Sequence, residues 1–291
     1  MSTVRVRNLW KQYGDQVVLE HINLDIPSGE FCALVGPSGC GKTTFLRLLL
    51  AMEQPTRGTI TIDGKPLPGE PRPDRGVVFQ RYSVFPHLTV EENIVLGLEF
   101  ARAPLTGRLY GAKKRRALEE VAETIERVGL SPSRTKYPGE LSGGMQQRLS
   151  IAQALVRKPR ILLMDEPFGA LDPGTKAQMY VLVRELWRAE RMTVFMVTHD
   201  LKEGFSLATR VLAFDKVRHD PQAPEAYGAT VKFNIPLDDK AERAEIVSKL
   251  PALAATENEE GATRGRPWAR LFDFAGTTRR KRRESHERTS V

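Results

Sequence analysis

The sequence predicts an α/β fold: a parallel sheet at the centre, an antiparallel β piece ahead of it, and an α-helical piece inserted into it. Three observations carry this. Ile161–Met164, Thr193–Val197 and Val211–Phe214 are apolar at successive positions, the pattern of strands covered on both faces. Between the first two, Met179, Leu182, Val183 and Leu186 recur at helical spacing, and strand, helix, strand in that order implies right-handed crossovers around a parallel core. From Val90 to Val156 the pattern is helical, with Leu118, Val121, Ile125 and Val128 on one face.

The elements follow in chain order. Short alternating pieces such as Val4-Arg5-Val6-Arg7 and Val17-Val18-Leu19 predict antiparallel strands over Val4 to Ile26, closed by a turn at Pro27-Ser28-Gly29. Phe31 to Val35 is an apolar strand, and Phe45, Leu46, Leu48, Leu49 and Leu50 mark a helix after it. Gln54 to Gly58 breaks the pattern and Thr59 to Ile62 resumes it as a strand, so a small sheet straddles the segment between. Pro66 to Pro73 is a connection, followed by a strand from Gly76 to Phe79 that ends at Gln80. Lys113 to Arg116 reads as the solvated start of a helix, and a glycine-rich loop from Gly139 to Gly144 interrupts the helices. Past about Pro236 the signal fades to one short helix over 240–250, an apolar piece at Pro267 to Phe274 and a basic end. The expected division is 1–235 for the folded domain, with its helical part at about 90–156, and 236–291 for a partly flexible extension.

A chain of 291 residues with 41% apolar composition can bury a full α/β core, so one domain with appendages is expected. No apolar run approaches the ~20 residues that span a bilayer, and the start lacks a signal-like stretch, which places the chain in the cytosol unless a partner holds it at a membrane. The two cysteines, Cys32 and Cys40, fit neither a disulfide pair nor a metal site. The net charge of +8 is concentrated in the tail, notably Arg279 to Arg283, which leaves the folded part close to neutral. Nucleic acid is therefore not an expected partner of the core.

The chemistry begins at Gly36-Pro37-Ser38-Gly39-Cys40-Gly41-Lys42-Thr43-Thr44, set between a strand and a helix. This is the pattern of a phosphate-binding loop. Glycines let backbone N–H groups wrap a polyphosphate, the helix start offers its positive end, Lys42 would neutralise β- and γ-phosphates, and the Thr43 hydroxyl would ligate Mg²⁺. Such loops serve many activities, so the second half of the site decides. Asp165 and Glu166, at the end of the buried strand Ile161–Met164, supply a magnesium-side carboxylate and a general base for water.

Leu141-Ser142-Gly143-Gly144-Met145-Gln146-Gln147-Arg148 is the most specific string. A hydroxyl, two glycine N–H groups and a helix start make a second anion site. Here the chain resembles the ATP-binding subunits of ABC transporters, with Met145 in place of the usual Gln. The resemblance implies a P-loop NTPase fold with a RecA-like core, and two ATP molecules sandwiched between this chain and a second copy or a homologous chain. Ser142, Gly143 and Gly144 would then face the partner's phosphate loop. It further implies that Tyr13 stacks on adenine and that Gln80 reaches Mg²⁺ and the attacking water. Asp172, in Ala170-Leu171-Asp172, would cross the dimer interface, and His199 would contact the γ-phosphate and hold Glu166. Phe85 to Asn93 resembles the segment that receives a transmembrane permease subunit. The style of Phe85 to Asn93 and Met145 resembles nitrate, sulfonate and taurine importers, with urea- and amide-type solutes open. A peripheral position on the cytoplasmic face of the inner membrane and an external solute-binding protein are implied with it. The alternative is a soluble ABC-type ATPase acting on nucleic acid or the ribosome.

Overall fold

The computed structural model describes residues 2–80, 83–103, 107–218, 220–223 and 225–237. The expected helix over 240–250, Pro267 to Phe274 and the basic tail lie outside the described residues. From the N-terminus come β1 (Val4–Tyr13), β2 (Gln16–Ile26), β3 (Phe31–Val35), α1 (Lys42–Leu49), β4 (Arg57–Ile62), β5 (Lys65–Pro66) and β6 (Arg75–Val78). Then follow α2 (Val90–Arg102), α3 (Gly111–Arg127), α4 (Gly143–Leu155), β7 (Ile161–Asp165), α5 (Pro173–Glu190), β8 (Thr193–Val197), α6 (Leu201–Leu207), β9 (Arg210–Asp215) and β10 (Thr230–Pro236).

Among the described residues these strands make two sheets, an antiparallel one in the order β2-β1-β4-β5 and a larger one in the order β10-β9-β3-β8-β7-β6. In the larger sheet β9, β3, β8, β7 and β6 run parallel. The edge strand β10 runs antiparallel to β9, an element the sequence did not announce. The reason is its half-exposed pattern: Lys232 and Asn234 face outward and only Ile235 is buried.

The continuous apolar runs have a direct explanation in packing. Along β3, Phe31, Ala33 and Val35 enter one core, which lies against the helices, while Cys32 and Leu34 enter another, shared with α1 and the antiparallel sheet. β7, β8 and β9 divide their apolar residues in the same alternating way, so only the strand ends Asp165 and Arg210 are partly exposed. Phe45 of α1 sits fully buried with its ring 6.5 Å from Phe195 and 5.5 Å from Phe214, tying the helix after the phosphate loop to two strands. Phe45→Ala is expected to cost about 3–5 kcal/mol of stability, read from urea unfolding; a loss under about 1 kcal/mol would show that the site collapses around the smaller side chain.

Local signals set the helix starts. Thr89 and Glu92 form a reciprocal capping box at α2, with Glu92 N–H donating to the Thr89 hydroxyl at 3.3 Å and Thr89 N–H donating to the Glu92 carboxylate at 2.9 Å. The glycine-rich stretch is not one open loop. Pro138–Glu140 forms a 3-10 turn, and Gly143 and Gly144 already belong to the first turn of α4, because Ser142 caps it.

Candidate nucleotide-binding and hydrolysis site

The loop from Gly36 to Gly41 joins the end of β3 to the start of α1, and two of its glycines are obligatory. Gly36 has φ +145°, and a Cβ there would collide with the Phe214 carbonyl oxygen; Gly41 has φ +84°, and its Cβ would lie 2.6 Å from Leu19 Cδ2. Gly41 caps α1 without a side-chain bond, and the first turn holds no acidic residue of its own, so the positive end of the helix faces the loop. Lys42 is 7% exposed, and its ammonium donates to the carbonyl oxygens of Gly36 and Pro37, both at 2.8 Å. The Cys40 thiol lies 3.7 Å from the same ammonium, and burial pushes its pKa up. Ser38 and Gly39 complete the turn.

β7 delivers the carboxylates to this loop. Thr43 Oγ1 donates to Asp165 Oδ1 at 3.2 Å. Burial, with the Glu166 charge beside it, holds the Asp165 pKa above the usual carboxylate range. A carboxylate whose charge is disfavoured in this way is one a cation would relieve. No cluster of three or more His, Cys, Asp or Glu side chains among the described residues could hold a metal by itself. One carboxylate, one hydroxyl and phosphate oxygens make a hard, incomplete oxygen set, which fits Mg²⁺.

Glu166 sits at φ +46°, a left-handed conformation that costs a non-glycine residue about 1–3 kcal/mol. Its N–H is anchored to the Val197 carbonyl at 3.0 Å. That turn aims the side chain at two others: Gln80 Nε2 donates to Glu166 Oε2 at 3.1 Å, and His199 Nδ1 lies 3.4 Å from the same oxygen. The three residues expected to handle water are thus brought together. Gln80 meets Glu166 rather than Thr43 or Asp165.

Tyr13, at the end of β1, is 43% exposed and its hydroxyl donates to Glu53. Burial and this contact raise its pKa, and Thr44 touches it, which places the ring beside the start of α1. Lys11 Nζ stands 4.6 Å from the ring centroid.

Ser142, Gly143, Gly144 and Asp172 are elsewhere. Ser142 Oγ accepts from the Met145 N–H at 3.4 Å, and a Cβ on Gly144 would lie 2.5 Å from Thr175 Cγ2, so the α4 head packs on the α5 head. Asp172 caps α5, accepting from the Thr175 N–H at 3.0 Å, and this bonding lowers its pKa. Among the described residues no hydrogen bond or ion pair joins these four to Gly36 through Thr44.

Three positions gave no sequence signal of their own, Asn93 being read only as the end of the segment from Phe85. Asn93 is 1% exposed and its amide donates to the carbonyls of Phe85, Leu88 and Thr89, fastening the segment before α2. Beside it a groove of about 350 Å³ is lined by Phe79, Phe85, Phe100 and Arg157 among others. Glu53 gathers Tyr13, Lys11 and Arg47. Glu203, 3% exposed, accepts from the Thr198 hydroxyl at 2.6 Å. Glu53 depends on partners remote in sequence, and Glu203 also meets Lys176 and Tyr180 of another helix, whereas the carbonyls that Asn93 holds are local.

Comparison with known proteins decides the family. The profile described as ABC transporter matches residues 19–169. The nitrate import ATP-binding protein of a Synechocystis species is 40% identical over 227 residues, covering 78% of this chain and 79% of the relative. The chain belongs to the ABC transporter ATP-binding family.

The sulfate/thiosulfate import ATP-binding protein of Mycobacterium tuberculosis is 40% identical over 215 residues, covering 73% of this ABC ATPase and 59% of the relative. A solved bacterial ABC transporter cassette, in a dimeric structure, is 29% identical with a TM-score of 0.66, covering 81% of this chain and 99% of that one. The same cassette has been solved in a dimeric post-hydrolysis state bound to ADP and phosphate. This ABC ATPase accordingly has the P-loop NTPase fold and is an ATP-binding, ATP-hydrolysing protein. Among the described residues, no helix is long and apolar enough to cross a membrane.

Proposed function

We propose that this ABC ATPase energises an importer of small solutes of the nitrate, sulfonate or taurine kind, with urea- and amide-type solutes open. It works as a nucleotide-sandwich dimer on separate membrane permease subunits at the cytoplasmic face of the membrane, supplied by an external solute-binding protein. The names of the relatives support import. The observation that carries the dimer is the split of the site: Lys42, Thr43, Asp165, Gln80, Glu166 and His199 gather at one end, whereas Ser142, Gly143, Gly144 and Asp172 gather at the heads of α4 and α5. One chain therefore supplies two unlike halves, and two chains supply two whole sites.

In this reading the loop from Gly36 to Thr44 wraps the phosphates, Tyr13 supports the base, and Lys42 turns its ammonium from the loop carbonyls to the β- and γ-phosphates. Thr43 and Asp165 would hold Mg²⁺, with Gln80 on its water side; the bound cation supplies neutralisation of the phosphate charge. Glu166 accepts the proton of a water as that oxygen bonds to the γ-phosphorus; the bond to the bridging oxygen breaks, and ADP leaves with those electrons. Gln80 and His199 hold the carboxylate where this transfer is possible. The partner's Ser142, Gly143 and Gly144 would close over the γ-phosphate. Residues 1–235 form the ATPase unit, and the groove at Phe79, Phe85 and Phe100 receives the permease.

Complementation tests the shared site. Ser142→Arg and Lys42→Ala chains are each expected to be inactive alone. Mixed one to one, half the dimers carry one intact site, so about a quarter of the parent ATPase activity returns if the sites are independent. Full activity of either variant, or of a strictly monomeric parent, would overturn the sandwich. Solute identity is read by stimulation of ATPase activity in the complex reconstituted with permease and binding protein.

A further inference from the structure

Glu203 is a buried carboxylate that the hydrolysis scheme does not use, and its two oxygens serve different parts of the molecule. Oε2 accepts from Thr198 Oγ1 at 2.6 Å, next to His199. The same hydroxyl accepts the Asp200 N–H at 3.0 Å, and the Thr198 N–H donates to the Leu34 carbonyl at 3.1 Å, so Thr198 fixes the segment that bears His199. Oε1 instead accepts from Tyr180 Oη at 3.0 Å and pairs with Lys176 Nζ at 3.3 Å, both on α5. The Tyr180 ring stands edge-on to Phe168, 5.2 Å between centroids, and Phe168 follows Glu166 by two residues. At the head of α5, Asp172 forms the cap and Thr175 packs on Gly144.

We propose that Glu203 is a positioning residue that couples the two nucleotide sites of the dimer, joining the His199 segment, which serves one ATP, to the α5 head with Asp172 and the Ser142 loop, which serve the other. This rests on the sandwich reading above. The connection is short and made of directional bonds: His199 cannot shift with Thr198 unless Glu203 shifts, and Glu203 cannot shift without pulling on Lys176 and Tyr180. A γ-phosphate contact at His199 is thereby communicated to the half-site offered to the partner's nucleotide. Coupling of this kind is a free energy between sites and shows as cooperativity in ATP.

The full-length chain is assayed for ATPase activity against ATP concentration, comparing the parent with Glu203→Ala, with Glu203→Asp, and with the double variant Lys176→Gln, Tyr180→Phe. The double variant keeps the Thr198–Glu203 bond and cuts only the α5 side. It is expected to bring the Hill coefficient from a value between 1 and 2 down to about 1, with the affinity for a fluorescent ATP analogue changed less than about twofold. Glu203→Ala should in addition lower kcat about tenfold at unchanged analogue affinity, and Glu203→Asp should restore part of both. A merely structural role would lower the unfolding temperature and leave the Hill coefficient alone. If Glu203→Ala does not fold, the double variant carries the test. A double variant as cooperative as the parent, or a parent with a Hill coefficient of 1, overturns the coupling. Gel filtration of Glu166→Gln with ATP separates the two failures: a dimer with unaltered cooperativity sinks the coupling alone, whereas a monomer sinks the sandwich.

Discussion

Glu166→Gln is expected to lower kcat for ATP by about 100-fold or more while nucleotide affinity is kept and a dimer accumulates. The amide has the shape of the carboxylate, so it still lies within reach of Gln80, 3.1 Å away, and of His199, 3.4 Å away. What it loses is the ability to take a proton from water. Binding should survive because Lys42, Thr43 and Asp165 are untouched. The change also removes a negative charge beside Asp165, whose ionisation burial and Glu166 together oppose, so the neighbouring carboxylate becomes easier to charge. Single-turnover hydrolysis, analogue titration and gel filtration read the three quantities. A kcat within twofold of the parent would mean that another group activates the water.

Lys42→Met is expected to weaken ATP binding by about 100-fold or more, the effect of removing one partner of a hydrogen-bonded charge pair, about 2–5 kcal/mol. The fold should hold. Methionine matches the lysine stem in length, and the ammonium now bonds to the carbonyls of Gly36 and Pro37, a contact whose net worth is about 1 kcal/mol each, and more weakly to the Cys40 thiol. Equilibrium titration with a fluorescent nucleotide, beside urea unfolding, separates the two effects. An affinity within fivefold of the parent would show that the backbone N–H groups and the helix end carry the phosphates without the cation.

The parts of the site that could be read from the chain are those whose cause is local. Gly36, Gly41, Lys42 and Thr43 belong to one turn, and the positive φ values at the two glycines are a property of that turn. The strands β7, β8 and β9 were legible because burial on both faces makes their inner positions, Ile161 to Met164, Val194 to Val197 and Val211 to Phe214, continuously apolar. Ser142 to Gly144 carried a recognisable string, yet their distance from the phosphate loop appears only in three dimensions. Glu203 was invisible for a different reason. Its partners Lys176 and Tyr180 stand on another helix, and a glutamate early in a short helix looks like a solvated one until its burial is known. β10 escaped because an edge strand with one bonded side and one wet face keeps only part of an apolar pattern. Asn93 likewise resembles any polar residue at a helix start, although four backbone hydrogen bonds depend on its side chain.

The place of β3 between β8 and β9 has a consequence for how the protein is made. The strand that leads into the phosphate loop is synthesised early, but both of its neighbours come from the last third of the described chain. Gly36 itself fits against the Phe214 carbonyl, and Thr193, at the start of β8, bonds to both Gly29 and Ser2. A nascent chain leaving the ribosome can close the β1–β2 hairpin at once, yet it has no walls for the loop until Arg210–Asp215 has emerged. Pairing over such separations is slow, and the apolar faces of β3 wait exposed in the meantime. Competence for nucleotide therefore waits for β9, and a fragment cut short of Phe214 would carry every residue of the phosphate loop without its shape.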